Sequence, residues 1–426
     1  MSDILEIHPI ERRVDADVSV PGSKSYTNRA LLIAALADGR SRLAGALESD
    51  DTRYMAGALS ALGVRIRIES ADTFIVDGAG GRIQVPSAEL YVGNSGTTAR
   101  FLTGYVSLGN GTYTLDGAPR MRERPIQDLI DGLRPLGVRA RSLAGNGCPP
   151  VVVDGAGIEG GLTQMRGDRS SQYLSALLMV SPYARKDVEI RVTGNLVSRP
   201  YIDMTVHIMR DFGVNVDFCD ANIFHVKAGQ RYAPADYPIE PDASNASYFF
   251  AAAALTGGRI RVRNLSRASA QGDVAFVDVL GRMGCAVSNR PDGIEVRGPE
   301  RLSGVDVDMN AMPDVVQTLC ALAPFATGPV TARNIANLRI KETDRIAAVA
   351  AELNKLGVRS DARPDELTVY PSARIRPAEL DTYEDHRMAM SMALIGLKAP
   401  GIAIRNPTCV DKSFPSYFQC LDALRR

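Results

Sequence analysis

Several short segments carry residue types that chemistry needs, at the starts of otherwise apolar stretches. PGSKSYTNRALL places Lys24, Ser25 and Arg29 just before or inside the first turns of a helical pattern. There, free backbone N–H groups and the positive end of the helix dipole favour an anion. YVGNSGTTARFL repeats the arrangement, with Asn94, Ser95, Gly96, Thr97 and Thr98 ahead of Arg100. GDRSSQYLSALL offers the neutral donors Ser170, Ser171 and Gln172, MPDVVQTL puts the carboxylate of Asp314 at the matching point, and EDHRMAM brings His386 and Arg387. A second series adds PRMRERPI with Arg124, LVSRPYID, LRIKETDRIAA and CVDKSFPSYF. In LRIKETDRI, Lys341, Glu342 and Arg345 fall within about one helical turn, so two cations and a carboxylate are expected to face one ligand. Taken singly, each segment is also explained by helix capping or a solvated charged face. Converging in one place they form a trap for a small polyanion, because clustered like charges are costly to bury unless a ligand neutralises them.

The elements that would position these residues repeat along the chain. Five segments, SALGVRI, RPLGVRA, RDFGVNV, GRMGCAV and NKLGVRS, share one ending, with glycines at 63, 137, 213, 284 and 357. Each reads as a helix stopped by a glycine just past its end and followed by a strand. In step with them run NRALLIAALADG, TTARFLTGYVSLGNG, SSQYLSALLMVSPYA, ASYFFAAAALTGG, VVQTLCALAPFATG and HRMAMSMALIGLKAPG. These are apolar nearly all round, as buried helices are, and a short strand follows each. Six copies of a strand and two-helix unit account for the chain and divide into two groups of three, with a hinge expected in the Pro- and Tyr-rich AGQRYAPADYPIEPD near 228–242. Two signals mislead. Gly155, Gly157 and Gly160 spell G-x-G-x-x-G, but no helix follows promptly and IVDGAGG recurs one repeat earlier, so a recurring hairpin turn is the better reading. PGSKS lacks the spacing of a nucleotide-binding P-loop.

Composition limits the partners. The chain has 426 residues, with 49 Lys+Arg against 49 Asp+Glu, so no overall basic field favours nucleic acid or an anionic membrane. No apolar run is long enough to span a bilayer and no secretory leader is apparent, which makes a cytoplasmic location the expectation. Six scattered cysteines read as free, buried thiols, and four unpaired histidines leave little material for a metal site. No metal and no cofactor are expected.

PGSKSYTNRALL, GNSGTTAR, PRMRERPI, SSQYLSALL, LVSRPYID, DASNASYF, RIKETDRI, DHRMAMSMAL and K-S-F-P-x-Y-F, in this order and over essentially the whole chain, closely resemble the motifs of the 5-enolpyruvylshikimate-3-phosphate synthase family. The resemblance implies an α/β fold of two inverse αβ domains. Each is built from three copies of the repeated subdomain about a pseudo-threefold, with the active site in the interdomain cleft. It implies a division into 21–239 against 1–20 plus 240–426. It also implies transfer of the enolpyruvyl group from phosphoenolpyruvate to the 5-hydroxyl of shikimate 3-phosphate, with release of phosphate, by an enzyme expected to act as a monomer. By motif position, Lys24, Ser25, Arg29, Ser170, Ser171, Gln172, Ser198, Tyr201, Asp314, Asn337 and Lys341 would hold shikimate 3-phosphate. Lys24, Asn94, Gly96, Arg124, Gln172, Arg345, His386, Arg387 and Lys412 would surround phosphoenolpyruvate. Asp314 would act at the 5-hydroxyl, and Glu342, alone or with Lys24, would deliver the proton to the methylene carbon.

The chain departs from the pattern in its glycine loop. It reads GNSGTTARF where one large branch of the family has GNAGTAMRP, so Ser95, Thr98 and Phe101 differ, Phe101 standing at a proline that shapes the donor pocket. Arg169, before the serine pair, is either an added cation or a solvent-facing one. Two other readings remain. UDP-N-acetylglucosamine enolpyruvyl transferase shares the fold and typically uses a loop cysteine, for which Cys148 is the candidate. A non-catalytic phosphometabolite sensor would be expected to lose the acid–base carboxylates, and Asp314 and Glu342 are present.

Overall fold

The second repeat shows how one copy is built. Strand Ser87–Tyr91 leads into the inner helix Gly96–Tyr105, and strand Asn110–Asp116 returns parallel to the first. The outer helix Gln127–Leu133 follows, and then a hairpin, Arg139–Ser142 with Val151–Ala156, whose second strand pairs antiparallel with Asn110–Asp116. The third and fifth copies have the same strand order. These three copies therefore have four strands each, where the sequence reading has fewer. RARS, DFCD and SDA are the strands expected after the LG endings and lie at the edges of their sheets, while the added strands include those that open the copies, such as Ser87–Tyr91 and Gly161–Arg166.

The computed structural model describes residues 3–425, and among them six sheets form, three in each of two compact units. One unit is Gly22–Ile239; the other takes the chain up to Pro21 and from Glu240 onward. Two copies borrow the strand that should open them. The first pairs Asp38–Ala44 with Asp236–Pro238, from the far end of its own unit, and the fourth pairs Arg259–Arg263 with Asp15–Val18. The sixth has three strands, with Ile4–Ile7 antiparallel to Ile402–Arg405.

The inner helices are buried as their composition requires. Every residue of Gly96–Tyr105 is buried, as is every residue of Lys24–Leu36 except Ser25. The outer helices end as the shared LG motif predicts: Gly63, Gly137, Gly213, Gly284 and Gly357 all take φ between 74° and 103°. In each, the residue after the glycine donates its N–H back to the helix, for example Val214 N to Met209 O at 2.9 Å, closing a Schellman motif. The G-x-G-x-x-G stretch corrects one expectation. Gly157 and Gly160 have positive φ but do not turn a hairpin; they carry the chain from Val151–Ala156 in one sheet to Gly161–Arg166 in the next.

Candidate active site

In the unit Gly22–Ile239, the starts of the inner helices hold the sequence-predicted donors. Ser23 caps Lys24–Leu36, and Lys24 lies 9% exposed with Nζ 3.3 Å from the buried Asp51 carboxylate. Arg124 Nη1 donates to the Asn94 carbonyl at 2.9 Å and to Asn94 Oδ1 at 3.2 Å. A side chain on Gly96 would collide with Arg100 Nη1 and Arg124 Nη2, so glycine is what lets two guanidinium groups crowd this helix start. Arg100 donates through Nη2 to the Pro125 carbonyl at 2.9 Å, while its buried Nε and Nη1 find no acceptor. Unsatisfied guanidinium N–H groups beside a helix N-terminus make a site for a carboxylate or phosphate.

Ser170 caps Ser171–Val180, and Gln172 Nε2 donates to Thr97 Oγ1 at 3.1 Å, tying two helix starts together. Ser198 is buried at φ 56° ahead of the helix Arg199–Asp211, which carries Tyr201. Arg29 is sealed beneath this group. Its guanidinium bonds Thr205 Oγ1, Ser175 Oγ and the carbonyls of Ser25 and Tyr201, and it sits 5.1 Å from the centre of the buried Phe101 ring. With no carboxylate to offset it, burial lowers its pKa to about 10. Arg169 is exposed, 3.9 Å from Asp128.

In the other unit, carboxylates and cations interlock. Arg345, 2% exposed, donates from Nε to Asp385 Oδ2 at 2.7 Å, from Nη2 to Glu342 Oε2 at 2.9 Å, and from Nη1 to Asp314 Oδ1 at 3.1 Å. Burial opposes its charge, but Asp385, Glu342 and Asp314 more than reverse that and raise its pKa. Arg387 Nη2 reaches Asp314 Oδ2 at 2.8 Å, and Lys341 Nζ lies 3.9 Å from Asp314 Oδ1. Lys412 Nζ lies 3.8 Å from Glu342 Oε1, and His386 Nδ1 lies 3.5 Å from Asp385 Oδ1. Asn337 is buried in the short 3₁₀ turn Ala336–Ile340.

The expectation of one helical turn for Lys341, Glu342 and Arg345 is corrected. The helix is Arg345–Lys355, capped by Asp344, and the two preceding residues lie on a non-helical approach. That approach lets Lys341 turn to Asp314 while Glu342 turns to Arg345. Asp314 likewise sits in the 3₁₀ turn Pro313–Val315 that leads into Val316–Leu322.

Sequence reasoning overlooked Asp51, Asp385, Asp273 and Tyr248, whose hydroxyl accepts from Arg387 Nη1 at 3.4 Å. Asp385 had a signal, an acidic residue directly before an apolar helix, where it caps the Arg387 N–H at 2.9 Å. Asp273, from the distant QGDVAF, has none. It is buried, accepts a hydrogen bond from Ser244 Oγ, and is pushed up to about 7 by burial and by the Asp314 charge. The cysteines are free, but only Cys148, Cys285 and Cys320 are buried; Cys219 is exposed and Cys409 and Cys420 are intermediate, a correction to six buried thiols. Burial raises the Cys148 pKa, the opposite of what a nucleophilic cysteine needs. Among the described residues no group of three or more His, Cys, Asp and Glu could hold a metal ion, and no helix is long and apolar enough to cross a membrane.

Six repeated subdomains with ionic helix starts place the chain among the α/β enzymes of this architecture. The solved EPSP synthase from Acinetobacter baumannii superposes with a TM-score of 0.82 at 25% identity, over 99% of this chain and 98% of that one. The enolpyruvyl transferase NikO from Streptomyces tendae shares the fold, with a TM-score of 0.79 at 21% identity over 99% of this chain and 97% of its own. The family model for EPSP synthase (3-phosphoshikimate 1-carboxyvinyltransferase) matches residues 9–421, and the chain belongs to that family. It is 51% identical to the 3-phosphoshikimate 1-carboxyvinyltransferase of Nostoc punctiforme over 98% of both chains. It is 47% identical to that of Shewanella piezotolerans over 99% of both.

Proposed function

We infer that this chain transfers the enolpyruvyl group of phosphoenolpyruvate to the 5-hydroxyl of shikimate 3-phosphate and releases phosphate. Relatives of that name, at 51% identity over 98% of the chain, carry the reading. The interlocked Asp314, Glu342, Arg345 and Arg387 give it chemistry.

In the first half-reaction Asp314 takes the proton of the 5-hydroxyl, whose oxygen bonds to C2 of the donor. Glu342, beside Lys412 and alone or with Lys24, gives a proton to the methylene carbon, and a tetrahedral intermediate forms. In the second half the added methyl group returns a proton, the C2–O bond to phosphate breaks, and phosphate leaves. Arg124, Arg345, Arg387 and Lys412, with Asn94, the Gly96 backbone, Gln172 and His386, hold the donor carboxylate and phosphate. Ser25, Arg29, Ser170, Ser171, Gln172, Ser198, Tyr201, Asn337 and Lys341 hold shikimate 3-phosphate. Fixed guanidinium and ammonium groups stabilise the charge that develops on the departing phosphate. A cytoplasmic, monomeric enzyme goes with this reading.

Phosphate release from phosphoenolpyruvate by the purified protein tests it. Release is expected with shikimate 3-phosphate and not with UDP-N-acetylglucosamine, and to persist with chelator. Release with neither acceptor would point instead to a phosphometabolite sensor.

A further inference from the structure

Tyr383 and Glu384, two consecutive non-glycine residues, hold φ of 54° and 55° directly before Asp385, His386 and Arg387. Asp385 N donates to Thr382 O at 2.8 Å, closing a four-residue turn with the φ pattern of type I′, which ordinarily takes Asn-Gly. Bulky side chains in this region are strained, and the conformation persists only where surrounding contacts impose it.

Those contacts come from Glu352, on the same helix as Arg345. Its carboxylate is 0% exposed, accepts the Tyr383 hydroxyl at 2.6 Å and the Asp381 N–H at 2.9 Å, and pairs with Lys355 Nζ at 2.8 Å. Lys355 Nζ also reaches Asp381 Oδ2 at 2.8 Å. Two turns earlier, Arg345 holds Asp385 through two hydrogen bonds, at 2.7 and 3.2 Å. One helix thus grips the strained turn at its start through Glu352 and at its end through Arg345, about 10 Å apart along the axis.

We propose that Glu352 and Tyr383 are positioning residues for the enolpyruvyl donor: they hold the left-handed turn that presents Arg387 to Asp314 and keeps Asp385 on Arg345. The inference rests on reading Arg345 and Arg387 as donor ligands. Neither Glu352 nor the Tyr383 ring needs to touch substrate. A hydroxyl on an exposed ring, bonded to a buried carboxylate, is a contact whose loss leaves the core intact and frees the turn to relax.

The test uses the full-length protein, Tyr383→Phe, Glu384→Gly and the double variant, each assayed for phosphate release with either substrate varied and for melting temperature. Tyr383→Phe is expected to lower kcat/KM for phosphoenolpyruvate about tenfold, the loss of one hydrogen bond to a charged acceptor, with KM for shikimate 3-phosphate within about twofold. Glycine adopts the left-handed turn without help, so the double variant should recover to within about threefold of wild type, although the hydroxyl bond is still missing. Glu384→Gly alone should stay within about twofold. A lowered melting temperature with unchanged kcat/KM for the donor would overturn the proposal, as would a loss that glycine fails to restore. Wild-type release is measured first; its absence would remove the functional reading itself, a separate result.

Discussion

Asp314 accepts hydrogen bonds from both Arg345 and Arg387, so removing it has two effects of opposite sign. Loss of the group that takes the hydroxyl proton should lower kcat by about 100-fold or more. Arg345 keeps Asp385 and Glu342, but one fewer carboxylate beside Arg387 should favour the anionic donor. Asp314→Ala is therefore expected to turn over slowly with a KM for phosphoenolpyruvate no higher than wild type, as steady-state kinetics would show. Arg124→Ala is the counterpart, since it removes a cation that donates to two oxygens of Asn94; KM for phosphoenolpyruvate should rise about tenfold or more, read in the same assay. Asp273 sets a pH dependence. Its carboxyl titrates near 3.8 when free and at about 7 when folded, so between these values the folded protein binds the extra proton and stability falls as pH rises. Asp273→Asn has no proton to lose, so its melting temperature should gain on wild type from pH 5 to pH 8. The gain is about 2–4 °C for each kcal/mol recovered in a unit of this size.

Elements were legible where a periodic pattern met a stop signal, and the five LG endings show why. A glycine past a helix end has a local cause, and all five take the left-handed φ it predicts. That cause can be separated from packing. An alanine side chain at Gly213 would meet nothing closer than 4.0 Å, yet φ is 87°, so Gly213→Ala should cost about 1 kcal/mol through backbone strain alone. Gly57 lies inside the helix Asp50–Ala61 with nothing within 4 Å, and Gly57→Ala should stabilise by about 0.5–1 kcal/mol. Thermal melts of the two variants should move in opposite directions. What was not legible depends on partners far away in sequence. The strand Asp15–Val18 carries no local signal for its sheet partner, Arg259–Arg263, where the guanidinium groups of Arg259 and Arg261 bond Asp17. Asp273 is likewise unremarkable until the fold brings it to Asp314. The helix-start residues Lys24, Asn94, Ser170 and His386 were readable because one local rule, polar side chains at the start of an apolar helix, covers them all.

At the scale of the molecule, the borrowed strands decide which parts can stand alone. Every strand of the three sheets in Gly22–Ile239 comes from within that range, Asp236–Pro238 completing the first sheet. The remaining segment from Glu240 onward lacks two strands that only the N-terminal stretch provides. Without them the edge of Arg259–Arg263 is unpaired and the guanidinium groups of Arg259 and Arg261 lose Asp15 and Asp17. An open edge of this kind pairs with whatever strand is offered, including another copy. The fragment 22–239 should therefore fold by itself, with dispersed amide resonances and a cooperative melt, while 240–426 should be aggregation-prone or partly unfolded. Adding the peptide 1–21 to 240–426 should supply both missing strands and raise its melting temperature in proportion to peptide bound. If 240–426 alone melted as cooperatively as 22–239, the N-terminal strands would be trimmings of the fold; the register of Asp15–Val18 on Arg259–Val262 argues that they complete its sheets.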